Sequence, residues 1–238
     1  MNQDTPLGGH ISKRFDNELE DIRHQVLAMG GLVETQVANG LRGLFESDSD
    51  IARRVVQDDN KVNRMEVDID DQCLKILARR QPAASDLRLV VAIIKTINDL
   101  ERIGDQAEKL GRNQLELIDD AAGSSHCMKL EHLGDLVRKM LNKALDSFAR
   151  MNVDEALKTI ALDEKINAEF DGMMRQLITH MMEDPRTIRN ALRVSWCARA
   201  LERIGDHSKN ICEHVVFLVQ GKDVRHRGLK AQVEMASE

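Results

Sequence analysis

The 238-residue chain contains no tyrosine, one tryptophan and only three prolines. Aromatic residues make up 3% of it, and strands usually depend on aromatic and β-branched side chains. Leucine, alanine, glutamate, arginine and methionine are abundant instead, and these residues favour helices. The composition therefore predicts an all-α protein.

Four further absences limit the functions that the chain can have. No block of consecutive basic residues interrupts a chain of net charge −6, so we expect no nucleic-acid partner, because phosphate backbones need clustered lysine and arginine. The four cysteines show no C-x-x-C spacing and are interpreted as reduced thiols. The longest apolar run, Leu89 to Ile94, is far below the ~20 residues of a membrane-spanning helix. Residues 1–12 also lack a signal-peptide apolar region, so we expect a cytoplasmic protein without direct membrane insertion.

Helix start signals divide the chain into six long helices, three on each side of a linker. Proline follows Gln81 and Asp184, and capping motifs surround Asp48 and Asn152. We expect a flexible N-terminus at 1–10, a three-helix bundle at 11–118, a linker at 119–125, a second three-helix bundle at 126–221 and a flexible C-terminal tail at 222–238.

The two halves of the chain repeat each other. Residues 100–105 and 201–206 both have the sequence Leu-Glu-Arg-Ile-Gly-Asp, at an offset of 101 residues. Upstream, Asp-Asn-Lys-Val-Asn at 59–63 matches Asp-Glu-Lys-Ile-Asn at 163–167, at an offset of 104 residues. A period of about 100 residues is too long for a solenoid and predicts two copies of one bundle.

Each repeat places two carboxylates four residues apart on one helix face. Glu101 lies beside Asp105, and Glu202 lies beside Asp206. Like charges in these positions repel, and a bound cation would reverse the sign of the interaction. Ordinary salt bridges from Asp105 and Asp206 to neighbouring arginines are an equally open interpretation. We interpret the neighbouring His207 as a solvated surface residue and the repeated glycines as packing residues.

An antiparallel hairpin would bring further oxygen ligands to each pair. With a turn at residue 81, Glu101 lies level with residue 61, and with a turn at 184, Glu202 lies level with residue 166. Carboxylate and amide side chains bracket both levels, and such ligands suit hard or borderline cations. The candidate metal-binding residues are Asp59, Asn63, Glu101 and Asp105 in the first half and Asp163, Asn167, Glu202 and Asp206 in the second.

The tandem Glu-Arg-Ile-Gly-Asp motifs, with Asp-x-Lys-[Val/Ile]-Asn upstream of each, resemble the PhoU family of phosphate-uptake regulators. The resemblance covers nearly the whole chain. It implies two three-helix bundles with pseudo-twofold symmetry, a homodimer, and divalent or trivalent metal ions (iron, zinc, manganese or magnesium) at the candidate residues. Ala200 precedes the second motif where Asp99 precedes the first, so we expect the two sites to differ in charge and affinity.

The resemblance also implies a non-enzymatic cytoplasmic adaptor of phosphate homeostasis. Family members negatively regulate the phosphate-starvation response and phosphate uptake by coupling the ATPase of the phosphate ABC transporter to the phosphate-sensing histidine kinase of a two-component system. Two alternatives remain open: a metal-dependent phosphohydrolase that uses the acidic clusters, and a purely structural helical protein. The sequence contains no P-loop and no nucleophile with an evident base, which disfavours the enzyme.

Overall fold

The computed structural model describes residues 13–118 and 127–225, in which helices are joined by short turns and no strand occurs. The all-α prediction is confirmed. The predicted segments 1–10 and 119–125 lie outside the described residues. The helices are α1 (Lys13–Glu46), α2 (Ser49–Arg80), α3 (Ala84–Ile118), α4 (Cys127–Arg150), α5 (Val153–Ile160), α6 (Asp163–Glu183) and α7 (Ile188–Gln220), with a 3₁₀ turn at Pro185–Thr187.

Side-chain caps begin the helices where the sequence predicts them. Asp48 accepts hydrogen bonds from the backbone N–H groups of residues 50 and 51 at the start of α2. Asn152 accepts one from residue 155 at the start of α5, and Asp184 accepts one from residue 186 in the 3₁₀ turn. Each cap satisfies N–H groups that have no partner inside the helix.

The middle helix of the second half is interrupted, so the six long helices are accompanied by a short α5. Ala161 and Leu162 keep helical backbone angles, but the Leu162 N–H bonds to the Thr159 carbonyl, three residues back, at 3.0 Å. This tighter turn separates α5 from α6. Together α5 and α6 correspond to α2.

The helices form two bundles that share one continuous hydrophobic core. The halves meet most extensively between α3 and α7, and also between α1 and α4. The α1–α4 crossing shows the pseudo-twofold symmetry directly: Gly30 faces Leu145, and Gly134 faces Leu41. Residue 134 follows 30, and 145 follows 41, at the same offset of 104 residues.

The C-terminal end of α7 is followed by a packed segment. Gly221 takes a left-handed conformation that ends the helix, and Val224 is fully buried. The flexible C-terminal tail at 222–238 stays a prediction: Val224 packs into the protein, and residues 226–238 lie outside the described residues. In residues 13–118 and 127–225, every helix falls short of the long apolar stretch that a bilayer crossing requires.

Candidate functional site

The acidic residues of the first half meet where α2 crosses α3. Asp59 on α2 is buried beside Gly104, and a Cβ atom at position 104 would lie only 3.2 Å from Asp59 Oδ1. The glycine in the motif thus allows the two helices to approach closely. Asp59 on α2 thus packs against the turn of α3 that carries Glu101 and Asp105, as the hairpin register predicts.

Two amides hold the Asp59 carboxylate. Asn63 Nδ2 donates to Asp59 Oδ2 at 3.0 Å, and Gln36 Nε2 on α1 lies 3.5 Å from Asp59 Oδ1. The amide oxygens of both side chains, Asn63 Oδ1 and Gln36 Oε1, are buried and have no hydrogen-bond partner among the described residues. Gln36 was not predicted from the sequence, because α1 carries no part of the repeated motif. The available signal was that Gln36 is a polar residue among the mostly apolar residues of α1 that face the core.

Two carboxylates of this first-half cluster, Asp59 and Glu101, have raised pKa values. Burial raises the pKa of Asp59, and the charges of Glu108 and Asp105 add to the effect. Burial also raises the pKa of Glu101, with a further contribution from Asp105. Arg102 is the neighbouring cation, at 3.6 Å from Glu101 and 3.8 Å from Asp105. The cluster therefore concentrates more negative charge than its surroundings neutralise.

The acidic residues of the second half have closer cationic partners. Lys209 on α7 donates to Asp163 Oδ2 at 2.9 Å, and Asn167 donates to the same oxygen at 3.3 Å. Burial raises the pKa of Asp206, and the charge of Asp163 adds to it. The second acidic cluster is thus partly neutralised by a lysine that the sequence analysis did not single out.

The remaining carboxylates of the second half pair with arginines of α7. Arg199 Nη1 donates to Glu202 Oε1 at 3.0 Å, and Arg203 Nη1 donates to Asp206 Oδ2 at 3.2 Å. Asp163 Oδ1 and Glu202 Oε2 are buried without a hydrogen-bond partner. The salt-bridge interpretation of the motif therefore describes the second half better than the first.

The structure brings the eight predicted residues together in two sets without forming a closed cage. Within the part of the chain that it describes, no group of three or more His, Cys, Asp or Glu side chains is close enough to hold a metal ion as the side chains lie. Metal binding at these residues stays a prediction.

A third polar cluster joins the two halves across α3 and α7. The buried Asp99 carboxylate on α3 contacts three side chains of α7: His207 Nδ1 lies 2.8 Å from Oδ1, His214 Nε2 lies 2.8 Å from Oδ2, and Asn210 Nδ2 donates to Oδ1 at 2.9 Å. The interpretation of His207 as a solvated surface residue is wrong, because α3 covers this side of α7. Although burial acts in the opposite direction, the hydrogen bonds from His207, His214 and Asn210 lower the pKa of Asp99 to about 2.

A cleft of about 950 Å³ opens above this cluster, lined by α2, α3 and α7. Its wall includes the Asp99 cluster, Glu66, Lys95 and Arg225. Both acidic and basic side chains line it, so the cleft has no single charge preference.

Comparison with known proteins identifies relatives along nearly the whole chain. A family model described as the PhoU domain matches residues 26–113 and 130–215. A Pseudomonas putida protein named phosphate-specific transport system accessory protein PhoU homolog is 50% identical over 224 residues, covering 94% of this chain and 88% of the relative. The Escherichia coli K12 protein named phosphate-specific transport system accessory protein PhoU is 49% identical over 222 residues, covering 93% and 92%.

Solved structures show the same fold. The crystal structure of PhoU from Pseudomonas aeruginosa matches with a TM-score of 0.86 at 47% identity, covering 87% of this chain and all of that chain. That of the phosphate transport system regulatory protein PhoU from Streptococcus pneumoniae matches with a TM-score of 0.82 at 29% identity, covering 88% and 99%.

Proposed function

The chain belongs to the PhoU family, and we propose that it regulates phosphate transport as a non-enzymatic adaptor. In this proposal it couples the ATPase of the phosphate ABC transporter to the phosphate-sensing histidine kinase, and represses the phosphate-starvation response when phosphate is plentiful. The observation that carries the proposal is the full-length similarity to proteins named as accessory to the phosphate transport system.

The architecture supports an adaptor because it offers partner-binding surfaces on a rigid body. Both bundles share one core, so they present their outer faces in a fixed relation. Ile188, Leu192 and Trp196 lie at i, i+4 and i+8 on α7 and are all exposed, Trp196 by 48%. Arg193 lies beside the Trp196 ring. Tryptophan and arginine are both enriched at protein interfaces, so we propose a partner contact on this row.

A pull-down from cells grown in high phosphate tests the adaptor proposal. The tagged chain is expected to recover the transporter ATPase or the sensor kinase, and a differently tagged copy if the expected homodimer forms. The double change Leu192→Ser with Trp196→Ala should reduce recovery of the partner at least tenfold. Leu74→Ser on α2, which also removes an exposed apolar side chain, serves as the matched control. Failure of the wild-type chain to recover either partner would contradict the proposal.

We also propose that the first-half acidic cluster binds a hard or borderline cation. Its donor set consists of carboxylate and amide oxygens, and two of the buried amide oxygens have no partner. A cation would neutralise the mutual repulsion of Asp59, Glu101 and Asp105, and would cross-link α2 to α3. The side chains must rotate to complete the coordination, because they do not form a cage as they lie.

Metal analysis of the purified protein tests this second proposal. The double change Glu101→Gln with Asp105→Asn should abolish retention of Mn²⁺, measured by elemental analysis and by the Mn²⁺-dependent rise in melting temperature. Glu131→Gln with Asp135→Asn removes an exposed acidic pair at the same spacing on α4 and is the matched control. Equal metal retention by wild type and the double variant would contradict the site. Turnover of phosphate esters by the Mn²⁺-loaded protein, lost in Glu101→Gln, would instead favour a phosphohydrolase.

A further inference from the structure

We propose that the Lys209 ammonium group acts as a built-in cation for the second acidic cluster, so that of the two repeated clusters only the first binds a metal ion. The inference rests on the proposed metal site of the first half, and deepens it by assigning a specificity-determining residue. Lys209 occupies the position of Glu108, because the α3 and α7 repeats are offset by 101 residues.

Lys209 is held within the second cluster. Its Nζ atom lies 2.9 Å from Asp163 Oδ2, and its side chain is only 33% exposed. The ammonium group therefore lies where a metal ion would otherwise balance the carboxylates.

Within residues 13–118 and 127–225, the corresponding carboxylate of the first half, Asp59, has no such ammonium partner. Asp59 contacts the neutral amides of Asn63 and Gln36, and Glu108 adds negative charge near it. Glu108 itself pairs with Arg112, whose side chain is 63% exposed and turned towards solvent. An exposed guanidinium is screened by water and neutralises a buried carboxylate less than a buried ammonium does.

An independent difference lies on α1 and α4, the first helix of each bundle. Gln36 on α1 is 97% buried, and its Oε1 atom has no hydrogen-bond partner while it faces Gly104 in the first cluster. At the offset of 104 residues that relates α1 to α4, the second half has Met140, which is fully buried. The first cluster therefore gains a buried oxygen ligand, whereas the second has an apolar side chain at that position and an ammonium group inside the cluster.

The experiment measures Mn²⁺ binding by titration calorimetry and elemental analysis on the full chain. Compared with wild type, the double variant Glu101→Gln with Asp105→Asn should bind no Mn²⁺. The double variant Glu202→Gln with Asp206→Asn should bind as much Mn²⁺ as wild type does. Lys209→Glu, which restores the residue type found at position 108, should raise the bound amount about twofold, because a second oxygen-rich cluster becomes available. Lys209→Arg keeps the cation and should bind as wild type does.

Each outcome bears on one proposal separately. If the Glu202 and Asp206 double variant loses metal, or if Lys209→Glu gains none while wild type binds through the first half, the role of Lys209 is overturned. If wild type binds no Mn²⁺, the first-half metal site fails, and the adaptor proposal is still judged by its own pull-down. Should Lys209→Glu fold poorly, as judged by circular dichroism, Lys209→Gln removes the cation without adding a charge and gives the same comparison.

Discussion

Asp99 shows how one side chain distinguishes the two halves at the residue scale. The equivalent position in the second half is Ala200, which is buried and apolar. Asp99 is also buried, and its charge is retained because two histidines and one asparagine of α7 surround the carboxylate. Removing a carboxylate from such a network leaves its partners buried and unsatisfied, and that costs more than the network contributes.

We therefore predict that Asp99→Asn lowers the free energy of unfolding by about 2 kcal/mol at neutral pH. The pKa of Asp99 is about 2 in the folded protein and about 3.9 in an unfolded chain. The ionised carboxylate thus stabilises the fold at pH values above about 4, and this contribution is lost as the pH falls from about 4 towards 2. Urea unfolding of both proteins at several pH values should show the difference shrinking across that interval.

Asp135→Asn, at an exposed position on α4, is the control and should change the unfolding free energy by less than about 0.5 kcal/mol. A difference between Asp99→Asn and wild type that stays constant down to pH 2 would contradict the assignment of the charge to Asp99.

The Asp99 cluster also marks the limit of prediction from sequence at this scale. Acidic pairs within one helix follow from a spacing of four residues, so Glu101 with Asp105 was predictable. His207 and Asp99 are separated by 108 residues, and helical periodicity alone does not reveal which helix covers a given face. The available signal was the charge of Asp99 at a position where the repeat has alanine.

At the scale of the helices, glycines decide how closely neighbouring helices approach. Gly111 on α3 is buried against α2, and a Cβ atom there would lie 3.0 Å from the backbone carbonyl oxygen of Ala52 and 3.3 Å from Val56. Gly31 on α1 is exposed, and a Cβ atom there would meet nothing within 4 Å. A substitution at Gly31 therefore changes only helix propensity, whereas a substitution at Gly111 also changes the packing of α3 against α2.

Gly31→Ala should stabilise the protein by about 0.5–1 kcal/mol, because alanine restricts the unfolded chain and favours helix. Gly111→Ala should destabilise it by about 1–2 kcal/mol, because a backbone carbonyl cannot move aside as a side chain can. Thermal unfolding followed by circular dichroism measures both changes. If both substitutions stabilise the protein, the close approach of α2 and α3 at Gly111 is contradicted.

Helix starts were predictable from the sequence, and the interruption of the second-half middle helix was not. Three residues predict helix starts because their side chains accept hydrogen bonds from backbone N–H groups of the first turn: Asp48, Asn152 and Asp184. The break at Ala161 and Leu162 contains two good helix formers and no capping side chain. It consists of a tightened backbone turn, in which the Leu162 N–H bonds to the Thr159 carbonyl, and local propensity does not predict such a turn.

At the scale of the whole molecule, the continuous core connects the two bundles. Sequence repetition predicted two copies of one bundle, and the copies are present, but one apolar core runs through both of them where α3 packs on α7 and α1 packs on α4. Each half would expose a large apolar face if the other half unfolded alone. The halves are thus expected to depend on each other for stability.

We predict that the protein unfolds in one cooperative transition. Differential scanning calorimetry should give a calorimetric enthalpy equal to the van't Hoff enthalpy, and fluorescence of Trp196 in the second half should report the same midpoint as circular dichroism. Two resolved transitions, or a Trp196 midpoint displaced from that of the whole chain, would show that the bundles unfold independently.

The contact of Asp99 with His207 and His214 has a consequence for the ancestry of the repeat. In a symmetric pair of identical single bundles, the residue at this position would be the same in both copies, and so would the residues that face it. One copy could then not have an aspartate that faces histidines while the other copy has an alanine at the same position. When the two copies are joined in one chain, equivalent positions can differ. Asp99 in the first half, with His207 and His214 facing it from the second half, is such a difference, because the position equivalent to Asp99 is Ala200.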